Sequence, residues 1–442
     1  MRPGAFVATN SQQGTALLIF VIILSLAALS VFLNRMNSST QQFIQRDQIT
    51  SDALAQAKEA LISYAASVDT SVSGRPGDLP CPDRDNDGKA GTTSVSSCGS
   101  GTGSYQDRRL GRLPWKDLGL PDLRDSSGEL LWYAVSNNFK QQTRTASLNS
   151  DTNGTITVRD AAGNILYNAS ASTGVAATII APGPPIARQD GLQQNRTAAN
   201  INNPMHYLDN IAVEDNADFD ETVTLTNGFF AGPVRDASGT VIANDRIMVI
   251  TRDEIMAAIE KRVAREAFNC LKDYAADPLN QGRLPWAAST ATSATGDYSD
   301  TSSTRFGRLP DGFTNTKASS VGNQMKDGWT TSCNINLGSW WNNWREFVFY
   351  AVADAYKPKP SAPPSCGTCL TITPPSAISD KQFAVIMASR RLPGIPGGQP
   401  RTSVSDKGNI ANYLEDQNAS PADDIFTRSN SSATFNDHVL FQ

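Results

Sequence analysis

Residues 57–66 read AKEALISYAA, and residues 264–276 read AREAFNCLKDYAA. Whether the second stretch echoes the first decides how the rest of the chain is read. Each opens on Ala, a basic residue, Glu and Ala, and each closes on Tyr-Ala-Ala. Working outward, the likeness continues in one order. Gly77-Asp78-Leu79-Pro80 answers Gly282-Arg283-Leu284-Pro285, and Gly111-Arg112-Leu113-Pro114 answers Gly307-Arg308-Leu309-Pro310. Leu131-Trp132-Tyr133-Ala134-Val135 pairs with Val348-Phe349-Tyr350-Ala351-Val352, Thr155-Ile156-Thr157 with Thr371-Ile372-Thr373, and residues 177–181 with 384–388. Tyr207-Leu208-Asp209 and Asn244-Asp245-Arg246-Ile247 find counterparts in Tyr413-Leu414-Glu415 and Asn436-Asp437-His438-Val439. Self-similarity kept in order over this many blocks marks a tandem duplication, with one half over 34–250 and another over 251–442.

Each half opens on a helix. Thr251-Arg252-Asp253-Glu254 is a capping-box pattern, and Ile255, Ile259, Val263, Ala267 and Phe268 follow as an apolar stripe. Upstream, residues 15–73 hold neither Pro nor Gly, and Phe43, Ile44, Ile49, Leu54, Leu61 and Tyr64 recur with Ala53, Ala57 and Ala60 near a 3.6-residue period. One helix of roughly 50 residues, on the order of 75 Å, is predicted. Residues 15–33 carry no charge, and about 19 residues span roughly 28 Å, close to a bilayer's hydrocarbon thickness. They predict the transmembrane half of that helix, behind a leader over 1–14. After each helix come a Gly/Pro-rich excursion and short strand-like runs such as Thr155-Ile156-Thr157-Val158, broken by turns such as Ala162-Gly163-Asn164. Residues 289–304, mostly Ser, Thr, Ala and Gly, predict a mobile loop. The expected fold class is α+β and loop-rich: a long N-terminal transmembrane helix leading into a duplicated exported region, each half a helix packed on antiparallel strands.

The N-terminal pattern resembles type IV pilins and the pseudopilins of type II secretion. Gly14 closing a short leader, the apolar run over 15–33 and the unbroken continuation to about residue 66 carry the resemblance, which covers that part of the chain alone. It implies cleavage between Gly14 and Thr15 by a prepilin peptidase and methylation of Thr15. It also implies other pilin or pseudopilin subunits as partners, and a single-pass place in the bacterial inner membrane with the bulk in the periplasm or on a surface filament. Two positions depart from the family: Thr15 stands where Phe or Met is usual, and Ile19 where most members have Glu. The missing acid looks like that of the large minor pseudopilin at a filament tip. The implied function is a minor pilin or pseudopilin subunit that joins or caps a type IV pilus or type II pseudopilus. The alternatives are a membrane-anchored periplasmic or surface module binding a glycan or protein, which has no use for the Gly14-Thr15 bond, and a cleaved secretory signal.

The charge balance of 38 Lys and Arg against 43 Asp and Glu, a net of -5 without a basic block, argues against a nucleic-acid partner. Asp83-Arg84-Asp85-Asn86-Asp87-Gly88 has the D-x-D-x-D-G spacing that gathers alternate carboxylates around calcium, so Asp83, Asp85 and Asp87 are candidate ligands. Ser94 stands where such a loop would bring its bidentate Glu, and an acidic surface turn is the competing reading. Cys81 and Cys98 bracket the turn and are expected to bridge. Cys270, Cys333, Cys366 and Cys369 allow three disulfide connectivities, including Cys366 with Cys369. A four-cysteine zinc site is the alternative, which export disfavours. Trp340, Trp341, Trp344, Phe347, Phe349 and Tyr350 cluster at a spacing that favours core over a binding face. No catalytic motif surrounds His206 or His438, the two histidines, and no enzyme is expected. A carboxylate-pair hydrolase would need close acids in a cleft. In the Gly-Arg-Leu-Pro blocks, Pro fixes the chain, Gly permits a turn and Arg can pair with an acid nearby.

Overall fold

The computed structural model describes residues 13–442 apart from 71–73, 92–97, 99–108, 142–146, 170–172, 220–227, 292–295, 319–324, 334, 336–339, 360–363, 368 and 396; over 13–40 it describes the helical path and, of the side chains, Leu24. α1 (Gln13–Ser67) is a helix of 55 residues and α2 (Arg252–Ala276) one of 25. α2 begins where its sequence says. The Glu254 amide donates to the Thr251 hydroxyl, and the Thr251 amide donates to Glu254 Oε2 at 2.8 Å.

Between the helices run β1 (Leu110–Arg112), β2 (Trp132–Val135), β3 (Thr157–Arg159), β4 (Ile165–Tyr167), β5 (Val175–Ala181), β6 (Asn210–Ile211), β7 (Glu214–Asp215), β8 (Gly228–Phe230), β9 (Val234–Arg235), β10 (Val241–Ala243) and β11 (Arg246–Thr251). After α2 come β12 (Phe306–Arg308), β13 (Val348–Val352), β14 (Leu370–Thr373), β15 (Ile378–Lys381), β16 (Phe383–Met387), β17 (Ile425–Thr427) and β18 (His438–Phe441). Two antiparallel four-stranded sheets, β1-β2-β5-β11 and β12-β13-β16-β18, have the same order and register. Gly111 and Arg112 lie opposite Tyr133 and Trp132, as Gly307 and Arg308 lie opposite Tyr350 and Phe349. The Gly77 amide reaches back to Ala65 O at 2.9 Å and the Gly282 amide to Ala275 O at 3.2 Å. Tyr133 and Tyr350 donate to Pro80 O and Pro285 O at 3.1 and 3.0 Å. Glycine at 111 and 307 answers a close backbone crossing: a Cβ would stand 2.6 Å from Asp83 O in one half and 1.8 Å from Ala288 O in the other.

Three registers differ from those the sequence blocks suggest. Buried Ala53, Leu54, Ala57 and Leu61 of α1 match buried Val263, Ala264, Ala267 and Leu271 of α2, so Ala57 corresponds to Ala267, three residues beyond Ala264. An unbroken helix cannot absorb those three residues. Ile180 faces Trp132 and Ile386 faces Phe349, which moves the 177–181 match by one. β3 pairs with β8 as β14 pairs with β17, Val158 opposite Phe229 and Ile372 opposite Phe426, which moves that match by two. These last two pairings are parallel, where antiparallel strands alone were expected. The long excursions between their partners supply the crossover that parallel pairing needs.

One core holds both halves. Leu54, Ala57 and Leu61 from α1, Ile259, Val263 and Ala267 from α2, and Tyr133 and Tyr350 from the two sheets belong to it. Each fully buried Leu contributes about 1.5–3 kcal/mol. The opposite face of the first sheet, with Trp132, Ala134 and Ile180, packs against Val158 and Phe229 in a second core. Both faces of β2 and β5 are therefore covered, and their sequences run apolar without alternation.

The expected transmembrane half is corrected: among the described residues no helix is long and apolar enough to cross a membrane. Past Met36, α1 carries Asn37, Gln41, Gln42, Gln45, Arg46, Asp47 and Gln48, and α2 is charged along its length. Neither that part of α1 nor α2 offers the uncharged span that hydrocarbon requires. The side chains of 15–33, Leu24 excepted, lie outside the described residues. Of the stretch 289–304, residues 292–295 lie outside the described set, while Tyr298 and Asp300 are buried and Asp300 Oδ1 accepts from the Asn315 amide at 2.9 Å.

Candidate functional site

α1 reaches the head at Thr50, the first buried residue of the helix among those described, whose Oγ1 lies 3.1 Å from Ser126 Oγ. Just before that point Phe43, Ile44 and Ile49 are 67%, 59% and 53% exposed. Phe43, Arg46, Asp47 and Thr50 form one wall of a 570 Å³ groove, whose other wall includes Asp125, Pro184 and Arg246. Arg246 pairs with Asp47 across it. At Gly14 and Thr15, the expected processing residues, the structure describes the helical path alone.

The acidic turn brings Asp83, Asp85 and Asp87 together, with one ligand atom of each within 4.8 Å of the others. Asp83 closes the turn on itself: Oδ1 accepts from the Asn86 amide and Oδ2 from the Gly88 amide, both at 2.7 Å. Burial pushes its carboxyl up to about 6, against those amide donors. The Asp83 backbone pairs with that of Arg112, and a bridge between Cys81 and Cys98 anchors the turn beside the core. In the repeat the equivalent residue is Ala288, whose backbone pairs with Arg308 in the same way. The other disulfides are Cys270–Cys333 and Cys366–Cys369. All six cysteines are consumed, which removes the zinc alternative and marks a chain of oxidising compartments. The six aromatic side chains of residues 340–350 are buried in the core.

What the sequence blocks did not announce is a polar network, built twice. The Arg112 guanidinium lies 4.2 Å from the Trp132 ring and 4.0 Å from the Tyr207 ring, with Arg196 5.0 Å from Tyr207. Arg308 lies 3.8 Å from Phe349 and 4.2 Å from Tyr413, with Arg401 4.5 Å from Tyr413. Among the described residues neither Arg112 nor Arg308 forms an ion pair, so pairing with an acid gives way to stacking between rings, which a planar guanidinium tolerates. Burial pushes both down to about 10, which leaves them charged at neutral pH.

Below each stack two carboxyl groups meet. Asp245 Oδ2 accepts from the Asp209 amide at 2.8 Å and from Asn216 Nδ2 at 2.9 Å, and Asp209 Oδ1 accepts from Gln194 Nε2 at 2.8 Å. Asp437 Oδ2 accepts from the Glu415 amide at 3.0 Å and from Asn418 Nδ2 at 2.9 Å, and Glu415 Oε1 accepts from Gln399 Nε2 at 2.8 Å. Burial, and then the neighbouring acid, push Asp245 and Asp437 well above the usual carboxylate range. The pairs are sealed from solvent rather than set in a cleft, and they tie the segments after β5 and β16 to the final strand of each half. The Asn-Asp and Tyr-Leu-acid blocks were the one sequence signal of them. Of the histidines, His206 Nδ1 accepts from the Asn195 amide at 3.1 Å and His438 Nε2 lies 3.4 Å from Glu260.

Set beside known proteins, the chain matches no family model, no curated protein and no solved structure.

Proposed function

We propose that the chain is a minor filament subunit of the pilin-like kind, joining other pilin or pseudopilin subunits through α1 and carrying its double head at the filament end. The observation behind this reading is the stretch of α1 before Thr50, where Phe43, Ile44 and Ile49 stand exposed on a helix whose next turns are clamped in the core. On a helix of 3.6 residues per turn these three side chains point to different sides, and each gains about 25 cal/mol for each Å² it covers, which favours burial among neighbouring helices. The head, with two four-stranded sheets and three disulfides, suits the periplasmic side of a bacterial envelope or a surface filament. A prepilin peptidase would cut at Gly14-Thr15. Intact mass and N-terminal sequence of the protein from its own cells, with and without that peptidase, test the reading. A chain starting at Thr15 only when the peptidase is present supports it; a chain keeping Met1, or cut elsewhere, overturns it.

We also propose that the turn over 83–88 takes calcium. The proximity of its three carboxylates supports this, since like charges held that close favour a divalent counter-ion. Thermal unfolding in calcium and in chelator checks it: the midpoint rises with calcium in the native chain and does not move in Asp85→Asn/Asp87→Asn. Equal midpoints in the native chain leave the turn as a surface loop.

A further inference from the structure

Asp83, Arg112, Trp132, Asn202, Asp218 and Phe219 line a cavity of 180 Å³ in the first half, more room than one water needs. Two of these groups are buried donors without a partner among the described residues: Trp132 Nε1 and Arg112 Nε. A buried donor left unpaired costs about 1–3 kcal/mol.

The molecule itself contains the alternative for the indole. In the second half Phe349 takes the place of Trp132 against the stacked arginine, and Ala288 takes the place of Asp83. There Phe306 stacks on Phe349 and on Phe426, with centroids 6.1 and 6.0 Å apart. Both halves pack a phenyl ring from the parallel pair, Phe229 or Phe426, but the first half has Leu110 where the second has Phe306, and a cavity with polar groups on its wall is found in that first half. An indole differs from a phenyl ring in its wider face, which attracts a stacked cation more strongly, and in its N–H, which Trp132 leaves unpaired among the described residues.

We propose that this cavity binds a neutral polyhydroxylated ring, a single sugar unit presented by a glycan or free in solution. A hydroxyl both donates and accepts, so its oxygen can accept from the Trp132 and Arg112 N–H groups that have no partner among the described residues. The Trp132 indole and the Phe219 ring supply the apolar wall against which a sugar's C–H face lies. Carboxylates on the wall oppose an anion and the guanidinium opposes a cation, which selects a neutral ligand. The proposal does not depend on filament assembly, since it holds whether or not Gly14-Thr15 is cut.

The test is saturation-transfer difference NMR on the full chain with glucose, galactose and N-acetylglucosamine at millimolar concentration. At least one sugar gives a signal with the native protein. Trp132→Phe, the residue the second half already uses, keeps or raises the unfolding midpoint and loses that signal. Ala217→Leu, a bulkier side chain in the cavity lining, loses it as well and serves as the second variant if Trp132→Phe does not fold. Silence from all three sugars with the native chain overturns the proposal and leaves a water-filled cavity. So does a signal of equal size in a folded Trp132→Phe or Ala217→Leu protein.

Discussion

Replacing Asp245 by Ala and by Asn separates the two roles that the buried carboxyl network assigns to it. Asp245 Oδ2 accepts two hydrogen bonds, from the Asp209 amide and from Asn216 Nδ2, while Oδ1 has no partner among the described residues. Ala removes the acceptor and orphans both donors at about 1–3 kcal/mol each, so a loss of roughly 2–6 kcal/mol is expected. Asn keeps an acceptor of the same shape, carries no charge, and turns an N–H₂ toward the neighbouring acid; a change of less than about 1 kcal/mol at neutral pH is expected. The pH profile sharpens the contrast. The folded carboxyl is held well above its unfolded value by burial and by Asp209, so the folded state binds the proton more tightly. This group's contribution is then greatest below the unfolded value, declines as pH rises through the interval between the two values, and stays at its lowest above the folded one. Arg196 acts against the shift, and Arg188 and Gln194 act on Asp209. Urea unfolding followed by tryptophan fluorescence between about pH 5 and about pH 8 reads this out. Native protein loses stability across the rise from this site, and Asp245→Asn shows a flatter profile. If Asn costs as much as Ala, or leaves the profile unchanged, the account of Asp245 as a carboxyl raised by burial and by Asp209 is wrong. Asp437→Asn repeats the experiment in the second half and should give the same answer.

The remaining predictions concern stability and are checked by denaturant unfolding under matched conditions. Removing the Cys81–Cys98 bridge by a double change to Ala, across a separation of 17 residues, is expected to cost about 3 kcal/mol. Arg308→Met, which swaps a buried cation stacked on Phe349 and Tyr413 for an apolar chain of similar size, should stay within about 1 kcal/mol of native or stabilise. Arg308→Ala leaves a cavity and should cost roughly 3 kcal/mol. Thr251→Ala breaks the capping box of α2 and should cost about 1 kcal/mol.

Local signals were legible wherever a residue type answers a backbone demand. The Gly-Arg-Leu-Pro blocks lie at equivalent strand crossings because a Cβ at Gly111 or Gly307 would collide with the backbone beside it. Thr251 and Glu254 announced the start of α2 because the open amides of a first turn need their oxygens. Registers were not legible. A strand buried on both faces has no polar phase to count from, which is why the 177–181 match slipped by one. In α1 and α2 an Ala-Lys-Glu-Ala pattern recurs easily, and burial in the shared core was needed to show that Ala57 corresponds to Ala267.

The sequence by itself determined the start of α2, the turns, the acidic loop and the order of the repeated blocks, since each rests on contacts a few residues long. Only the tertiary structure decided the parallel pairings, the joining of both halves in one core, and the stacking of Arg112 and Arg308 on rings rather than on acids. It alone also distinguished Trp132 from Phe349 as an indole beside a cavity. Those features depend on residues that lie tens to hundreds of positions apart, whose meeting is set by how much apolar surface the whole fold can bury.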